Sequence, residues 1–319
     1  MKLVTFDTGD GIARPGAFVN DDTGIVDLAA ATGGAISSIQ ALIEGGDGAF
    51  AKAQDIVSKG SADAETANVR LLAPIPRPEQ MRDCLCFELH LKQASAAGLK
   101  VRVMNEPDPE AAERELIEAG FLIPPKVFYE QPLYYKANRF AVIGHEQDVQ
   151  WPAYSDFMDF ELEFGVYISK PTKDVKAEDA TPHIFGYTIF NDMTARDAQM
   201  KEMQAPFGPA KGKDFDTANV MGPCIVTADE FGDPYNKSMI CRVNGEEWGR
   251  GSTSSMMWKF EDLIAHISRS ETLHPGEFLG SGTVGNGCGV EHMRKLNDGD
   301  VVELEVEGIG ILRNRIVKS

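Results

Sequence analysis

Apolar and acidic residues alternate strictly over residues 159–164, and the rest of the chain is organised around this stretch. Asp159, Glu161 and Glu163 alternate with two phenylalanines and a leucine. Successive side chains of a β-strand point to opposite faces, so the pattern predicts a strand with one acidic and one apolar face. No Lys or Arg interrupts the acidic face. Such a face is typical either of a solvated antiparallel strand or of carboxylates that share a hard cation.

A second apolar run, residues 184–190, is followed by Asp192 and then by the helix-compatible segment 194–199. The pattern predicts a buried strand that leads into a helix. Asp192 then has two interpretations. It is either the N-cap of the helix or a further carboxylate of an all-oxygen site for Mg²⁺, Mn²⁺ or Ca²⁺.

Hydrophobic patterning divides the chain at a proline-rich linker, Pro74, Pro76 and Pro78. Before it, the patterns predict short strands and two helices, over residues 36–44 and 49–58. We therefore expect a small N-terminal domain, residues 1–73, and a second domain, residues 74–319. Strand patterns dominate after residue 126, and a β-hairpin is predicted over residues 301–317.

Two further helices are predicted after the linker. One follows His90 over residues 91–97 and stops at Gly98. The other has Asp108 as its N-cap and Pro109 at its first position. It belongs to an inserted segment, residues 99–130, that is either a lid over the site or a solvated surface element.

The glycine-rich segment 280–285 satisfies the pattern G-x-G-x-x-G. A dinucleotide site needs this pattern at the start of a helix within a βαβ unit. The next residues, Asn-Gly-Cys-Gly, are poor helix starters, so we predict no nucleotide site here.

Composition narrows the partners of this 319-residue chain. Its net charge of −18 argues against nucleic acid and anionic membranes, and an anionic substrate would need a local basic patch. The first residues lack an apolar signal region and no apolar run is long enough to span a bilayer, so we expect a cytoplasmic protein. The five cysteines lack paired spacing and are expected to be reduced packing residues.

Four motifs occur in order along the chain: DFELEFGVYISK, GYTIFNDMTARDAQ, GKDFDTANVMGP and GSGTVG. Together they resemble the catalytic domain of the fumarylacetoacetate hydrolase superfamily over roughly residues 74–319. The resemblance implies an α+β fold that is mostly β. It also implies a mixed β-sandwich roll with peripheral helices behind a small N-terminal α/β domain, and a homodimer.

The resemblance also implies roles for individual residues. A divalent cation, Mg²⁺ with Mn²⁺ or Ca²⁺ as alternatives, would be held by Asp83, Glu161, Glu163 and Asp192. Substrate would be contacted by Tyr135, Arg196, Gln199 and Thr283. His90 and Lys213 match catalytic positions, although a lone helical His is often structural and a loop Lys is usually exposed.

The chain departs from the family pattern at Gln93. Smaller members have a His-x-x-Glu pair here, whereas this chain has Gln93 three residues after His90. Larger members have a metal-binding Asp seven residues before the His, and Asp83 keeps that spacing. An amide cannot stabilise an imidazolium as a carboxylate does, so the carboxylate must come from elsewhere. Glu291 is the candidate.

Three functions are compatible with these residues. The leading prediction is hydrolysis of a carbon–carbon bond in a β-diketo acid such as an acylpyruvate or a fumarylacetoacetate-like compound. In it His90 activates water, and the cation and Lys213 stabilise an enolate. The second is a hydratase, 2-oxo acid decarboxylase or enol–keto isomerase on the same scaffold. The third is a non-catalytic protein with a structural Ca²⁺-like site.

Overall fold

The computed structural model describes residues 1–104, 106–205 and 207–318. Most of its strands follow the proline-rich linker. In chain order they are β1 Lys2–Asp7, β2 Arg14–Val19, β3 Gly24–Asp27, β4 Ala64–Glu65, β5 Arg70–Leu72, β6 Met81–Cys84, β7 Tyr134–Lys136, β8 Val142–Ile143, β9 Val149–Trp151, β10 Met158–Asp159, β11 Leu162–Ile168, β12 Ile184–Asp192, β13 Thr194–Ala195, β14 Asn219–Thr227, β15 Ser238–Val243, β16 Glu246–Ser252, β17 Phe278–Gly280, β18 Val301–Val306 and β19 Gly310–Lys318.

The helices lie at the periphery of these strands. They are α1 Leu28–Ala31, α2 Ile39–Glu44, α3 Gly46–Ser58, α4 Glu88–Val103, α5 Pro109–Glu118, α6 Val127–Glu130, α7 Arg196–Glu202, α8 Ala228–Phe231 and α9 Phe260–Ile267. No helix in the described ranges has the length and apolar character needed to cross a membrane.

Two mixed sheets form the body of the molecule. The larger runs β4-β3-β2-β1-β14-β12-β11-β17-β6-β7, with β5 beside β1 and β8 beside β14. The smaller runs β16-β15-β18-β19-β9 and contains the predicted C-terminal hairpin, which is confirmed. Buried side chains of both sheets share one apolar core. The expected α+β, mostly β fold is confirmed.

The N-terminal strands belong to the larger sheet. β1 pairs with β14 in antiparallel register, with Lys2 opposite Val226 and Leu3 opposite Ile225. Backbone hydrogen bonds therefore join the first 73 residues to the strands that follow the linker. Independent folding of a domain ending at residue 73 stays a prediction.

The alternating acidic stretch is not one continuous strand. β10 ends at Asp159 and β11 begins at Leu162, while Glu161 forms an isolated bridge with Cys288. The solvated-face interpretation is wrong, because Asp159 and Glu163 are fully buried and Glu161 is 5% exposed. Both faces of this stretch lie inside the protein, so its carboxylates need partners other than water.

The end of α4 and the role of Asp192 differ from the predictions, and α2 begins three residues later and α3 three residues earlier than predicted. α4 continues through Gly98 to Val103, because Ala97 and Leu99 are buried and this packing outweighs the low helix propensity of glycine. Asp192 is not a helix N-cap, since it is the last residue of β12 and α7 starts four residues later. The predicted N-cap Asp108 is confirmed and accepts a hydrogen bond from the Ala111 amide at 3.0 Å.

The glycine-rich segment continues from β17 as a loop and reaches a short 3-10 turn, Val290–His292. It does not open a helix of a βαβ unit, in agreement with the sequence argument. All five cysteines are buried free thiols, as expected.

Glycine substitutions test the packing of the central strands. An added Cβ at Gly165 of β11 would lie 2.2 Å from the Phe278 ring, and one at Gly98 of α4 would meet nothing within 4 Å. We expect Gly165→Ala to lower the free energy of unfolding by about 1–3 kcal/mol through overpacking. Gly98→Ala is expected to raise it by about 0.5–1 kcal/mol. Denaturant unfolding of both variants measures the two effects, and a neutral Gly165→Ala would contradict this packing.

Candidate active site

Three carboxylates converge where neighbouring strands of the larger sheet end. Asp83 lies near the end of β6, Glu163 near the start of β11, and Asp192 at the end of β12. One oxygen from each lies within 4.8 Å of the other two. β17 runs between β6 and β11, and its Gly280 leaves room for them, since a Cβ there would lie 2.5 Å from Asp83 Oδ1.

This carboxylate cluster, Asp83, Glu163 and Asp192, fits a hard divalent cation. Glu163 Oε2 and Asp192 Oδ1 are buried and have no hydrogen-bond partner among the described residues. Burial and the Asp192 charge raise the pKa of Asp83 to about 7. Burial raises the pKa of Asp192 to about 6 against the opposing effect of Lys213, and raises the pKa of Glu163 well above its usual value. A bound cation would relieve this repulsion, and oxygen ligands suit Mg²⁺ or Mn²⁺.

Glu161, the fourth predicted ligand, lies between two cations. Its Oε1 is 2.8 Å from Arg196 Nη1, and its Oε2 accepts a hydrogen bond from Lys213 Nζ. Burial opposes ionisation, but these two positive charges outweigh it and lower the pKa of Glu161 to about 2. The structure thus brings three of the four predicted ligands together, and ligation by Glu161 stays a prediction.

Lys213 is buried beside the carboxylate cluster rather than exposed on a loop. Its Nζ donates to Asp192 Oδ2 at 2.6 Å as well as to Glu161. Burial disfavours the ammonium, yet the Asp192 and Glu161 charges raise the pKa of Lys213 above its usual value. The hydroxyl of Tyr135 donates to the same Asp192 oxygen at 2.7 Å. Both predicted residues therefore adjoin the cluster.

Arg196 is the first residue of α7, and its guanidinium contacts Asp159, Glu161 and Gln199. Its Nε and Nη2 donate to Asp159 Oδ2 at 3.0 and 2.8 Å. Its Nη1 lies 2.9 Å from Gln199 Oε1, which confirms that these two residues share one helix face, and also pairs with Glu161. The guanidinium is thus held between two acidic residues.

His90 and Glu291 form a direct pair, although 201 positions separate them. His90 Nδ1 lies 2.8 Å from Glu291 Oε1. An ionised carboxylate only accepts hydrogen bonds, so Nδ1 carries the proton and Nε2 presents its lone pair. The second Glu291 oxygen accepts from the Cys288 amide at 3.1 Å, which fixes the carboxylate. This arrangement suits a general base.

Gln93 has a different task. Its side-chain amide donates to Asn286 Oδ1 at 2.7 Å, and its oxygen accepts from the Asn286 backbone at 3.0 Å. It therefore ties α4 to the glycine-rich loop instead of orienting His90. Thr283 of that loop lies 3.3 Å from Glu163 Oε1, so it adjoins the carboxylate cluster.

Asp159 is a site residue to which the sequence assigned no individual role. It accepts hydrogen bonds from the backbone amides of Gly289 and Val290 at 2.7 and 3.0 Å, in addition to those from the Arg196 guanidinium. It thus fixes the turn that carries Glu291. The one sign of this contact in the sequence is the glycine at position 289. The structure explains it, because an added Cβ there would lie 2.6 Å from Asp159 Oδ1.

Cation binding to the carboxylate cluster should depend on pH. Asp83 and Asp192 bind protons more tightly in the folded chain, so their contribution to the stability of the metal-free protein falls as pH rises through about 6 to 7. Because protons compete with the cation, we expect the rise in Tm caused by Mn²⁺ to be larger at about pH 8 than at about pH 5.5. Differential scanning fluorimetry measures this rise.

A matched pair of substitutions locates the effect. Glu163→Gln should lose most of the Mn²⁺-dependent rise in Tm, and Glu247→Gln, on an exposed pair with Arg250, should keep it. An equal rise at both pH values that persists in Glu163→Gln would rule out the cluster as the cation site.

Because Asp159 is buried, we expect its substitution to lower the free energy of unfolding strongly. Asp159→Asn would leave the buried Arg196 without one of its charge partners, and such losses typically cost about 3–5 kcal/mol of unfolding free energy. Asp156→Asn is the control, because that side chain is 97% exposed and should change stability by less than about 0.5 kcal/mol. Urea unfolding compares the two, and equal small effects would refute the structural role of Asp159.

Known proteins are similar to this chain in sequence. A family model for the C-terminal domain of fumarylacetoacetate (FAA) hydrolase matches residues 110–317. A mitochondrial oxaloacetate tautomerase of Xenopus laevis is 31% identical over 322 residues, which covers 99% of this chain and 90% of that protein. A human mitochondrial oxaloacetate tautomerase is 38% identical over 192 residues, 59% of this chain and 60% of that protein.

Solved structures are similar to this chain in fold. The fumarylacetoacetate hydrolase from psychrophilic Exiguobacterium antarcticum superposes with a TM-score of 0.73 and 28% identity over 100% of both chains. A 5-carboxymethyl-2-hydroxymuconate delta-isomerase from Mycobacterium smegmatis gives 0.68 and 25%, also over 100% of both chains. The similarity covers nearly the full length and includes the strands that carry the carboxylate cluster. The chain therefore belongs to the fumarylacetoacetate hydrolase superfamily of enzymes.

Proposed function

We propose that this chain is a divalent-metal-dependent tautomerase that interconverts the enol and keto forms of a small 2-oxo dicarboxylic acid, with oxaloacetate as the first candidate. The His90–Glu291 pair carries the proposal, because it combines a general base with a carboxylate that fixes its tautomer. The full-length relative from Xenopus laevis supports the choice of reaction. This choice differs from the carbon–carbon hydrolysis preferred on sequence grounds.

His90 would move the proton of the reaction. Its Nε2 would take a proton from the carbon next to the substrate carbonyl, the carbonyl oxygen would take a proton from solvent to complete the enol, and the imidazolium would then lose its proton to solvent. Glu291 would stabilise the imidazolium that forms in between. The reverse transfer, from imidazolium to carbon, yields the keto form. No bond between heavy atoms is broken.

Negative charge on the substrate oxygen needs a positive partner. A divalent ion held by Asp83, Glu163 and Asp192, with Glu161 as the proposed fourth ligand, supplies Lewis-acid stabilisation of an enolate when it is bound. Lys213 adds a fixed ammonium charge on the same side, since its Nζ lies 2.6 Å from Asp192 Oδ2.

The chain is strongly acidic, so an anionic substrate depends on buried cations. Arg196, Gln199, Tyr135 and Thr283 are the proposed contacts for its carboxylates. Arg196 and Lys213 provide the local positive charge, and both are held in place by acidic neighbours. A homodimer and a cytoplasmic location stay predictions, and light scattering on the purified protein tests the first.

Hydrolysis of a carbon–carbon bond in an acylpyruvate or fumarylpyruvate is the second candidate. The same observation favours it, because a His90–Glu291 pair can deprotonate water as well as carbon. The fumarylacetoacetate hydrolase from Exiguobacterium antarcticum has the same fold at 28% identity. The two reactions differ in their products, since hydrolysis yields two acids and tautomerisation leaves the mass unchanged.

Oxaloacetate enol provides the test. With Mg²⁺ or Mn²⁺ present, we expect the ultraviolet absorbance of the enol to decay faster with enzyme than in buffer that contains the same metal ion. A chelator should remove this acceleration. His90→Gln should lower kcat by roughly 10²- to 10⁴-fold, the usual contribution of general acid–base catalysis. Glu291→Gln should have a smaller effect, because an amide still orients the ring.

Controls separate catalysis from folding and one reaction from the other. His266→Gln on the peripheral helix α9 should keep full activity. Acylpyruvates and fumarylpyruvate are assayed in parallel by mass spectrometry of the products. Absence of metal-dependent tautomerisation together with cleavage of a diketo acid would replace the first proposal with the second.

A further inference from the structure

A second group of potential metal ligands surrounds the proposed base. His90, Cys288 and Glu291 each offer one ligand atom, and these atoms lie within 4.8 Å of one another. His90 comes from α4, whereas the other two come from the loop and turn after β17. The donors are a nitrogen, a sulfur and an oxygen, in contrast to the all-oxygen carboxylate cluster.

The backbone holds this nitrogen–sulfur–oxygen triad together. Cys288 bridges Glu161 through the backbone, and its amide donates to Glu291 Oε2 at 3.1 Å. Glu291 Oε1 lies 2.8 Å from His90 Nδ1. Ligands of a tetrahedral zinc ion are about 3.3–3.8 Å apart. The 2.8 Å contact between His90 and Glu291 would therefore open slightly, and Cys288 Sγ, within 4.8 Å of the other two atoms, would approach them by about 1 Å.

The donor set selects a softer metal than the carboxylate cluster does. Thiolate and imidazole favour Zn²⁺ and its relatives, whereas Mg²⁺ prefers oxygen ligands in octahedral geometry. The His90 side chain is 11% exposed and Cys288 is fully buried, so an ion would reach the triad past the imidazole.

We propose that the triad His90, Cys288 and Glu291 binds Zn²⁺ as an inhibitory site distinct from the Mg²⁺ or Mn²⁺ site. Binding replaces the thiol proton of Cys288, which passes to solvent, by a sulfur–metal bond, and the imidazole proton moves through solvent from Nδ1 to Nε2 so that Nδ1 can bind the metal. It also occupies the imidazole and carboxylate that would otherwise transfer the substrate proton. The inhibitory consequence rests on the proposed role of His90, whereas metal binding to the triad does not.

Cobalt tests the binding without any assay of activity. The full-length protein is saturated with Mg²⁺ and titrated with Co²⁺, which reports a sulfur ligand through a near-ultraviolet charge-transfer band. We expect a band that saturates at one equivalent, is displaced by Zn²⁺ and is absent in Cys288→Ala. Cys224→Ala, a buried thiol of β14, is the matched control and should keep the band. Cys288→Ser provides a variant with less loss of volume.

Absence of the band in the wild type, or its persistence in both Cys288 variants, would overturn the site. The kinetic arm then uses Zn²⁺ with saturating Mg²⁺. We expect inhibition of the wild type and at least a roughly tenfold weaker inhibition of Cys288→Ala, since even loss of an outer-shell partner weakens metal binding 10- to 100-fold. The inhibition of each variant is expressed relative to the activity of that same variant without Zn²⁺. A cobalt band without inhibition would leave the metal site in place and refute its effect on His90.

Discussion

The burial of carboxylates is the constraint on which the rest of the site depends. Within the described part of the chain, five of them gather around two cations. The carboxylates are Asp83, Asp159, Glu161, Glu163 and Asp192, and the cations are Arg196 and Lys213. Unpaired buried charge is costly, and the charges accordingly alternate in sign from Asp159 to Asp192. Burial raises the pKa values of Asp83 and Glu163, and the neighbouring carboxylates, which two cations cannot fully neutralise, raise them further. The need for positive charge is therefore concentrated at the carboxylate cluster.

One loop connects this cluster to the acid–base pair. The Gly282 amide donates to Asp83 Oδ1 at 3.2 Å near its start, and the Val290 amide donates to Asp159 Oδ2 at 3.0 Å near its end. Glu291 follows immediately and reaches His90. Because the same backbone segment touches both groups, their separation is set by main-chain contacts rather than by flexible side chains. Such fixed geometry is what proton transfer near a bound cation requires.

Sequence periodicity and the family resemblance predicted most of the residues that the structure brings together here, and the limits of each have physical causes. Alternation found the acidic stretch because strand side chains alternate in direction, but it could not show the break at residues 160–161. That break follows from Asp159, which turns toward the Gly289 and Val290 amides of a segment 130 positions away. Gln93 showed that a carboxylate was missing, whereas the contact between Glu291 and His90 depends on tertiary packing over 201 positions. The helix end predicted at Gly98 was wrong for the same reason, because the burial of neighbouring residues outweighed the low helix propensity of glycine.

The choice between tautomerisation and hydrolysis depends on water at His90 Nε2. Both reactions use the same base and the same enolate stabilisation, yet only hydrolysis needs a water molecule beside the ring. In this structure the Glu291 side chain is fully buried and the His90 side chain is 11% exposed, which limits the room for water. The helix α5 packs on α4, the helix that carries His90. If α5 closes over bound substrate, water is excluded and proton transfer to and from carbon is favoured. The inserted segment would then select the reaction without contributing a catalytic group.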